Sequence, residues 1–145
     1  MRTLSITLVL FQALIFAPFT QALDSTEQAY VNKLVSQNVS EIRRAAQEMM
    51  RGGVFDQEVL DVMSEVVYEL YKEPPSGYIQ IDALSWSTNV LGASGNARYR
   101  SLLVEVKDNA YHKKLRKFAK KNLKKLPKDE VPQYVQGSVS LKALR

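Results

Sequence analysis

Apolar residues recur at helical spacing along most of the chain. Behind Ser40, five of them follow the i, i+3, i+4, i+7, i+8 spacing of one helical face: Ile42, Ala45, Ala46, Met49 and Met50. No run of alternating apolar and polar residues is long enough for a sheet. The pattern predicts an all-α fold of about six helices. The other five begin near Ser25 and Asp56 and cover roughly 80–91, 99–106 and 112–126.

Capping and helix-breaking residues mark the ends of these helices. Ser25 opens a capping-box pattern, Ser40 is the next N-cap candidate, and Asp56 is the third. Gly92 is predicted to end the fourth helix. The Pro-Pro-Ser-Gly segment at 74–77 is the strongest break in the chain, because proline cannot continue a helix.

The helical pattern repeats within the chain. Residues 42–50 match residues 115–123 in their order of aliphatic, basic, apolar and polar positions. At an offset of forty, the apolar and acidic positions of 62–66 fall on those of 102–106. A repeat of this length with two short helices in each unit predicts a helical-repeat protein.

Several residues stand in the order and spacing of a known repeat consensus. They are Leu91-Gly92, Gly95-Asn96, Leu102-Leu103, Val106, Asp108, Leu115-Arg116-Lys117, Ala119 and Leu123. Over about 39–126 the sequence resembles the HEAT-repeat family, closest to its short bacterial form. It departs from that family at Ala97, where the usual residue is proline, and in an insertion at 74–78. The resemblance implies a short α-solenoid that serves as an interaction surface, and a bond between Asp108 and Arg116.

The N-terminal residues have the three parts of a secretory signal peptide. A charged start at Met1-Arg2 is followed by an apolar run at 6–16 and by small residues at the −3 and −1 positions of a cleavage site. A retained anchor is the weaker alternative, because spanning a bilayer takes roughly 20 apolar residues. We expect a cleaved signal peptide at 1–22, a HEAT-like domain at 23–126 and a loosely docked or disordered tail at 127–145. The mature chain is expected in the periplasm or outside the cell.

Charge is distributed unevenly between the two halves of the mature chain. Residues 23–82 carry five basic and eleven acidic side chains, a net charge of −6, whereas 83–145 carry fourteen basic and four acidic ones, a net charge of +10. Such asymmetry suggests a partner surface and permits weak head-to-tail self-association. The chain has no cysteine, which excludes disulfides, thiol catalysis, lipid attachment at cysteine and cysteine metal sites.

Few residues suit catalysis or metal binding. The one histidine, His112, stands at a helix start, where a solvated turn residue is the simplest interpretation. Glu65 and Glu69 lie one helical turn apart, but nothing apolar isolates them, and we interpret them as a solvated face. The chain has no glycine-rich phosphate loop, Gly-x-Ser-x-Gly elbow or His-Glu-x-x-His motif. We predict no enzymatic activity, no cofactor and no metal site.

The sixth helix is apolar on one side and strongly basic on the other. Such a helix can pack through its apolar side and present its charges to an acidic protein, an anionic membrane surface or another polyanion. The arginines that follow the Gly95-Asn96 turn are expected to be exposed and to form a second binding edge. The predicted partner-binding residues are Arg98, Arg100, Lys113, Lys114, Lys117, Lys120, Lys121 and Lys124.

These features favour an exported, non-catalytic adaptor that binds a protein partner in the bacterial periplasm. The alternative is peripheral attachment to anionic lipid or an envelope polyanion through the basic helix. Nucleic-acid binding is disfavoured, because the signal peptide directs export and no aromatic platform accompanies the basic run. Trp86 and Tyr99 are candidate interface anchors, although core packing is the favoured interpretation of Trp86.

Overall fold

The computed structural model describes residues 22–145, so the predicted signal peptide lies outside the described residues except for Ala22. Residues 22–145 form seven α-helices and a 3₁₀ helix and contain no strand, which confirms the all-α prediction. The helices are α1 (Ser25–Val35), α2 (Val39–Gly52), α3 (Gln57–Leu70), α4 (Tyr78–Ala93), the 3₁₀ helix (Ala97–Tyr99), α5 (Arg100–Asn109), α6 (Lys113–Leu123) and α7 (Leu141–Leu144). None of them is both long enough and apolar enough to cross a membrane.

The N-caps of α1 and α2 differ from the prediction. Asp24, not Ser25, caps α1: its carboxylate accepts hydrogen bonds from first-turn N–H groups, and the Glu27 side chain accepts one from the Asp24 N–H. This complete capping box satisfies donors that a helix leaves unpaired at its N-terminus. Asn38, not Ser40, caps α2 by accepting a hydrogen bond from the Ser40 N–H at 2.9 Å. The predicted cap of α3 is confirmed.

The helices pack in two rows. In the first row α4 lies between α2 and α6 and contacts both. In the second row α1 packs beside α3, and α5 is joined to α3 by the Tyr71 hydroxyl, which donates to Glu105 at 2.7 Å. The rows are held together because α1 packs on α2, α3 on α4, and α5 on α6. One apolar core therefore connects the helices from α1 to α6.

Gly92 brings α4 and α6 close together. The prediction that it ends the fourth helix is wrong, because α4 continues through it to Ala93 and the residue is buried. A Cβ atom at position 92 would lie 2.6 Å from the Cβ atom of Asn122 and 2.9 Å from its Oδ1. The glycine is thus required by the neighbouring helix. The chain turns later, at Gly95, whose φ of 65° lies in the left-handed region.

The C-terminal tail packs on the helices and is neither loosely docked nor disordered in this structure. Tyr134 is only 2% exposed and Leu141 only 7%, and both belong to the same apolar core as the helices. The Tyr134 N–H donates to the carbonyl of Arg98 at 2.9 Å, and α7 contacts α1 and α3. Residues 23–126 and 127–145 therefore share one core.

Candidate interaction surfaces

The outward side of α3 carries a row of carboxylates spaced one helical turn apart. Asp61, Glu65 and Glu69, together with Tyr68, form the surface that we call the α3 face. Each of the three carboxylates accepts hydrogen bonds from another part of the chain. The interpretation as a solvated face is therefore wrong for Glu65, whereas Glu69 is exposed to solvent and also binds Arg145. Less acidic surface is left for self-association than the charge count suggested.

Asp61 binds the arginine that was predicted to be an exposed binding edge. The Nε and Nη2 atoms of Arg98 donate to its two carboxylate oxygens at 3.1 and 3.0 Å, and the Tyr99 hydroxyl donates to Oδ1 at 2.9 Å. The Arg98 side chain is only 24% exposed. The prediction for Arg98 is wrong, because a bidentate pair with a carboxylate 37 residues earlier occupies its guanidinium.

Glu65 holds the middle of the tail. Its Oε2 accepts hydrogen bonds from the Tyr134 hydroxyl at 2.6 Å and from the Gly137 N–H at 2.9 Å. The Tyr134 ring stacks on Tyr68 with centroids 6.2 Å apart, and the Arg98 guanidinium lies 5.5 Å from the Tyr134 centroid. The tail thus covers the α3 face with the Tyr134 ring, and Glu65 accepts the hydrogen bond that the buried Tyr134 hydroxyl requires.

The two ends of the tail are held by arginines. Arg145 donates from Nη2 to Glu69 at 2.8 Å and from Nε to the carbonyl of Val35 at 3.2 Å. Arg100 donates from Nη1 to the carbonyl of Leu126 at 2.9 Å, shortly after the C-terminal end of α6. The expectation that Arg100 is free for a partner is therefore wrong: its guanidinium caps carbonyls that a helix end leaves without partners.

Tyr99, which lies near the tail, and Tyr134, which belongs to it, have raised pKa values. Burial is the largest cause for the Tyr99 hydroxyl, and the neighbouring Asp61 raises its pKa further. Burial also raises the pKa of Tyr134, and the hydrogen bond to Glu65 adds to it. Both hydroxyls therefore keep their protons and donate to the α3 face at neutral pH.

The lysines of α6 form the largest charged surface. Leu115 and Ala119 are buried, so the helix packs through its apolar side. Within residues 113–128, the exposed lysines that have no carboxylate within salt-bridge distance in the described chain are Lys113, Lys117, Lys120, Lys121, Lys124, Lys125 and Lys128. Lys114 differs from them, since its Nζ lies 3.6 Å from Oδ1 of Asp82 and 5.9 Å from the Phe118 centroid. All six predicted lysines are exposed, and five of them have no carboxylate within salt-bridge distance among the described residues.

A second surface lies on the outward side of the α2, α4 and α6 row. It consists of residues at helical spacing: Arg43, Gln47 and Met50 on α2, Asp82, Trp86 and Asn89 on α4, and Lys114 and Phe118 on α6. All of them are half-buried except Lys114, which is exposed. We call it the α4 face. Asp82 lies at its centre, 3.8 Å from Nη1 of Arg43 and 3.6 Å from Nζ of Lys114. Trp86 packs against the core, as the favoured interpretation expected, but it is only partly buried.

Two residues near the start of α6 differ from their predicted roles. The family resemblance implied a bond between Arg116 and Asp108, but the two side chains have other partners. The Nη1 atom of Arg116 donates to the carbonyl of Ala110 at 2.6 Å and to that of Tyr111 at 3.0 Å, and Asp108 pairs with Lys107. His112 is half-buried and is the N-cap of α6, accepting a hydrogen bond from the Lys114 N–H at Nδ1. Both side chains thus stabilise the turn between α5 and α6.

Three large apolar or aromatic residues near the loop before α4 are exposed to solvent. Tyr78 is 86% exposed, Tyr111 58% and Ile79 43%. Tyr78 and His112 line one shallow cavity, which places these residues close to the basic start of α6. An exposed apolar cluster beside cations is typical of a binding surface.

Residues 22–145 hold no group of three histidine, aspartate or glutamate side chains positioned to bind a metal ion. No protein-family model matches the chain, and comparisons with curated proteins and with solved structures also found no match.

The sequence analysis missed the bonded α3 face. Its signal was the regular spacing of Asp61, Glu65 and Glu69, combined with a tail that ends in arginine and carries a tyrosine. Neither half of that pattern indicates the other, because 69 residues separate Glu65 from Tyr134.

Proposed function

We propose that the chain is an exported, non-catalytic adaptor that binds an acidic protein in the bacterial periplasm. The observation that carries this proposal is the set of exposed, unpaired lysines on α6. Lys117 lies one turn from both Lys113 and Lys121, and like charges at this spacing destabilise a helix. The arrangement is costly for an isolated chain, and an acidic partner removes that cost while the field of the lysines speeds association.

The repeat architecture supports the same function. We propose that the two rows of helices form a short HEAT-like α-solenoid, in which residues 42–50 and 115–123 hold equivalent places. In favour of this, α2 and α6 flank α4 in one row, as repeated elements of a stack do. Solenoids expose a large surface for their length, which suits an adaptor. The use of His112 as a helix cap supports a role without catalysis.

Photocrosslinking in cells tests the adaptor function. A photoreactive residue at Lys117 or Lys121 should capture one specific acidic protein, identified by mass spectrometry. The same residue at Ala29, which is exposed on α1 in the other row, is the matched control and should not capture it. Recovery of phospholipid alone, or of nothing, from the α6 positions would contradict the proposal.

Attachment to an anionic membrane surface is the second candidate. The exposed Tyr78, Ile79 and Tyr111 beside the lysines favour it, because aromatic residues next to cations suit the headgroup region. The full chain should then bind vesicles that contain an anionic phospholipid, and binding should weaken with salt. The triple variant K117E/K121E/K124E should abolish binding, whereas K142E, on α7, should not. Equal binding by both variants would reject this candidate.

A further inference from the structure

We infer that the α4 face is a groove for an acidic amphipathic helix of the partner, with Trp86 and Phe118 as its apolar floor. This inference rests on the proposed function and names the surface and the chemistry that the partner supplies. Three observations carry it: the register of the three helices, the position of α4 between its neighbours, and the charge along the sides.

The register brings the aromatic residues together. Asp82 faces Lys114 at the start of both helices, and Asn89 accepts a hydrogen bond from Asn122 at 2.7 Å two turns later. The two pairs show that α4 and α6 run parallel and in step. One turn after the Arg43–Asp82–Lys114 row, each helix presents its next outward residue. These are Gln47, Trp86 and Phe118.

The position of α4 forms the floor of the groove. Most residues of this helix are buried by α2, α3 and α6, and the outward stripe that contains Trp86 remains only half-buried. Asp82 is the only charged residue of α4. The axes of packed helices lie about 8–10 Å apart, so α2 and α6 are roughly 16–20 Å apart across α4. A helix laid over α4, with a diameter of about 10–12 Å including side chains, would therefore contact outward residues of both neighbours.

The charge along the groove selects an acidic occupant. Lys121 follows Lys114 at i+7 and Phe118 at i+3, so it lies along the same side of α6. Arg43 lies on the opposite side, on α2. Asp82, the one acid among them, is already shared between Arg43 and Lys114. A helix with carboxylates at its edges and an apolar stripe in the middle therefore matches both the rim and the floor.

The second row of helices shows a segment in the equivalent position. There the tail of the same chain lies over α3, places Tyr134 against Tyr68 and binds Glu65. The α4 face carries no such segment among residues 22–145. Its cations call for the opposite charge, whereas the part of the tail that covers the other row ends in Lys142 and Arg145.

The chain contains one tryptophan, so fluorescence reports on this groove directly. The probe is a synthetic amphipathic helix with glutamate on one side and leucine on the other, labelled for anisotropy. Titrating the peptide into the full chain should shift the Trp86 emission to the blue. Binding of the peptide should weaken as the salt concentration rises. A peptide with lysine in place of glutamate should leave the emission unchanged. Binding of the acidic peptide without a change in Trp86 emission would overturn the inference.

Variants separate this inference from the proposed function. F118A should weaken peptide binding about tenfold, as loss of a central aromatic anchor does. K142E changes a residue of α7, which contacts α1 and α3, and should not weaken peptide binding. If F118A binds the peptide as the native chain does, while the crosslink from Lys117 persists, the partner docks elsewhere and only the inference fails. If the crosslink is also absent, the adaptor function fails with it.

Discussion

The α3 face and the α4 face occupy equivalent places on the two rows of helices, but only the first is covered. On α3 the carboxylates of Asp61 and Glu65 accept hydrogen bonds from Arg98 and Tyr134, so these acids are bonded within the chain. On α4 the half-buried Trp86 lies beside α6, whose Lys117 and Lys121 have no carboxylate within salt-bridge distance among the described residues. The carboxylates of the α3 face therefore contact other parts of the chain, whereas the lysines of α6 remain exposed.

This difference corrects the simplest use of charge counts. A row of like charges indicates a binding surface only when the chain does not itself supply the opposite charges. The tail supplies Arg145 and donor groups to the acidic row, whereas no acidic segment reaches the lysines of α6 among the described residues. The contrast between the two faces has four measurable consequences.

The first concerns the aromatic residue that closes the α3 face. Y134A should lower the free energy of unfolding by about 3 kcal/mol, because it removes a buried ring and the hydrogen bond to Glu65. V135A, at a residue that is 66% exposed, is the control and should change it by less than about 0.5 kcal/mol. Chemical denaturation of both variants measures the difference. A loss below 1 kcal/mol for Y134A would show that the tail does not seal this face.

The second concerns the close contact that positions α6 beside the α4 face. G92A should cost about 2 kcal/mol, because the added Cβ overlaps Asn122 and forces the helices apart. G77A is the matched control, since a Cβ there meets nothing within 4 Å. Thermal and chemical unfolding compare the two variants. Stabilisation by G92A, as for an ordinary glycine inside a helix, would contradict the close approach.

The third is a pH dependence that belongs to the covered face. Tyr99 and Tyr134 have raised pKa values in the folded chain, so above about pH 10 the unfolded chain loses protons that the folded chain retains. Stability is fully present below that pH and should fall by about 1 kcal/mol per pH unit above it for each tyrosine. Denaturation at pH 9, 10 and 11 measures the slope. Y134F should flatten it, and an unchanged slope would dissociate Tyr134 from the effect.

The smallest effect is at the end of the tail. R145A should cost only about 0.5 kcal/mol, because the partly exposed pair with Glu69 is weakened by solvent. Hydrogen exchange of α7 should nevertheless become faster, since the arginine also holds the carbonyl of Val35. K142A is the control at an exposed neighbour. Equal exchange in the two variants would mean that Arg145 does not hold the tail.

Local patterns predicted the helices well because each helix carries its own evidence. The stripe from Ile42 to Met49 fixes the buried side of α2 without knowledge of any other element. The N-caps were less certain, since Asp24 and Ser25 both have side chains that accept hydrogen bonds from a first turn. Gly92 was misassigned because a glycine near a helix end fits either a stop or a close contact, and only Asn122 decides between them.

The candidate sites were harder to predict because their partners are distant in the sequence. The Arg98–Asp61 pair spans 37 residues and the Tyr134–Glu65 bond spans 69, so no local pattern reveals that these side chains are occupied. The lysines of α6 could be identified, since the stripe of Leu115 and Ala119 fixes the outward side of the helix. The α4 face depends on the register of three helices, which no single helix contains.

Mapping of the acidic amphipathic peptide by ¹H–¹⁵N NMR tests the contrast between the two faces most directly. Titration into the full chain should shift amide signals along α2, α4 and α6, centred on Trp86 and its indole N–H, and leave those of 133–145 in place. Shifts centred on Tyr134 and α3, or release of the tail by the peptide, would contradict the assignment of the open face to α4 and the closed one to α3.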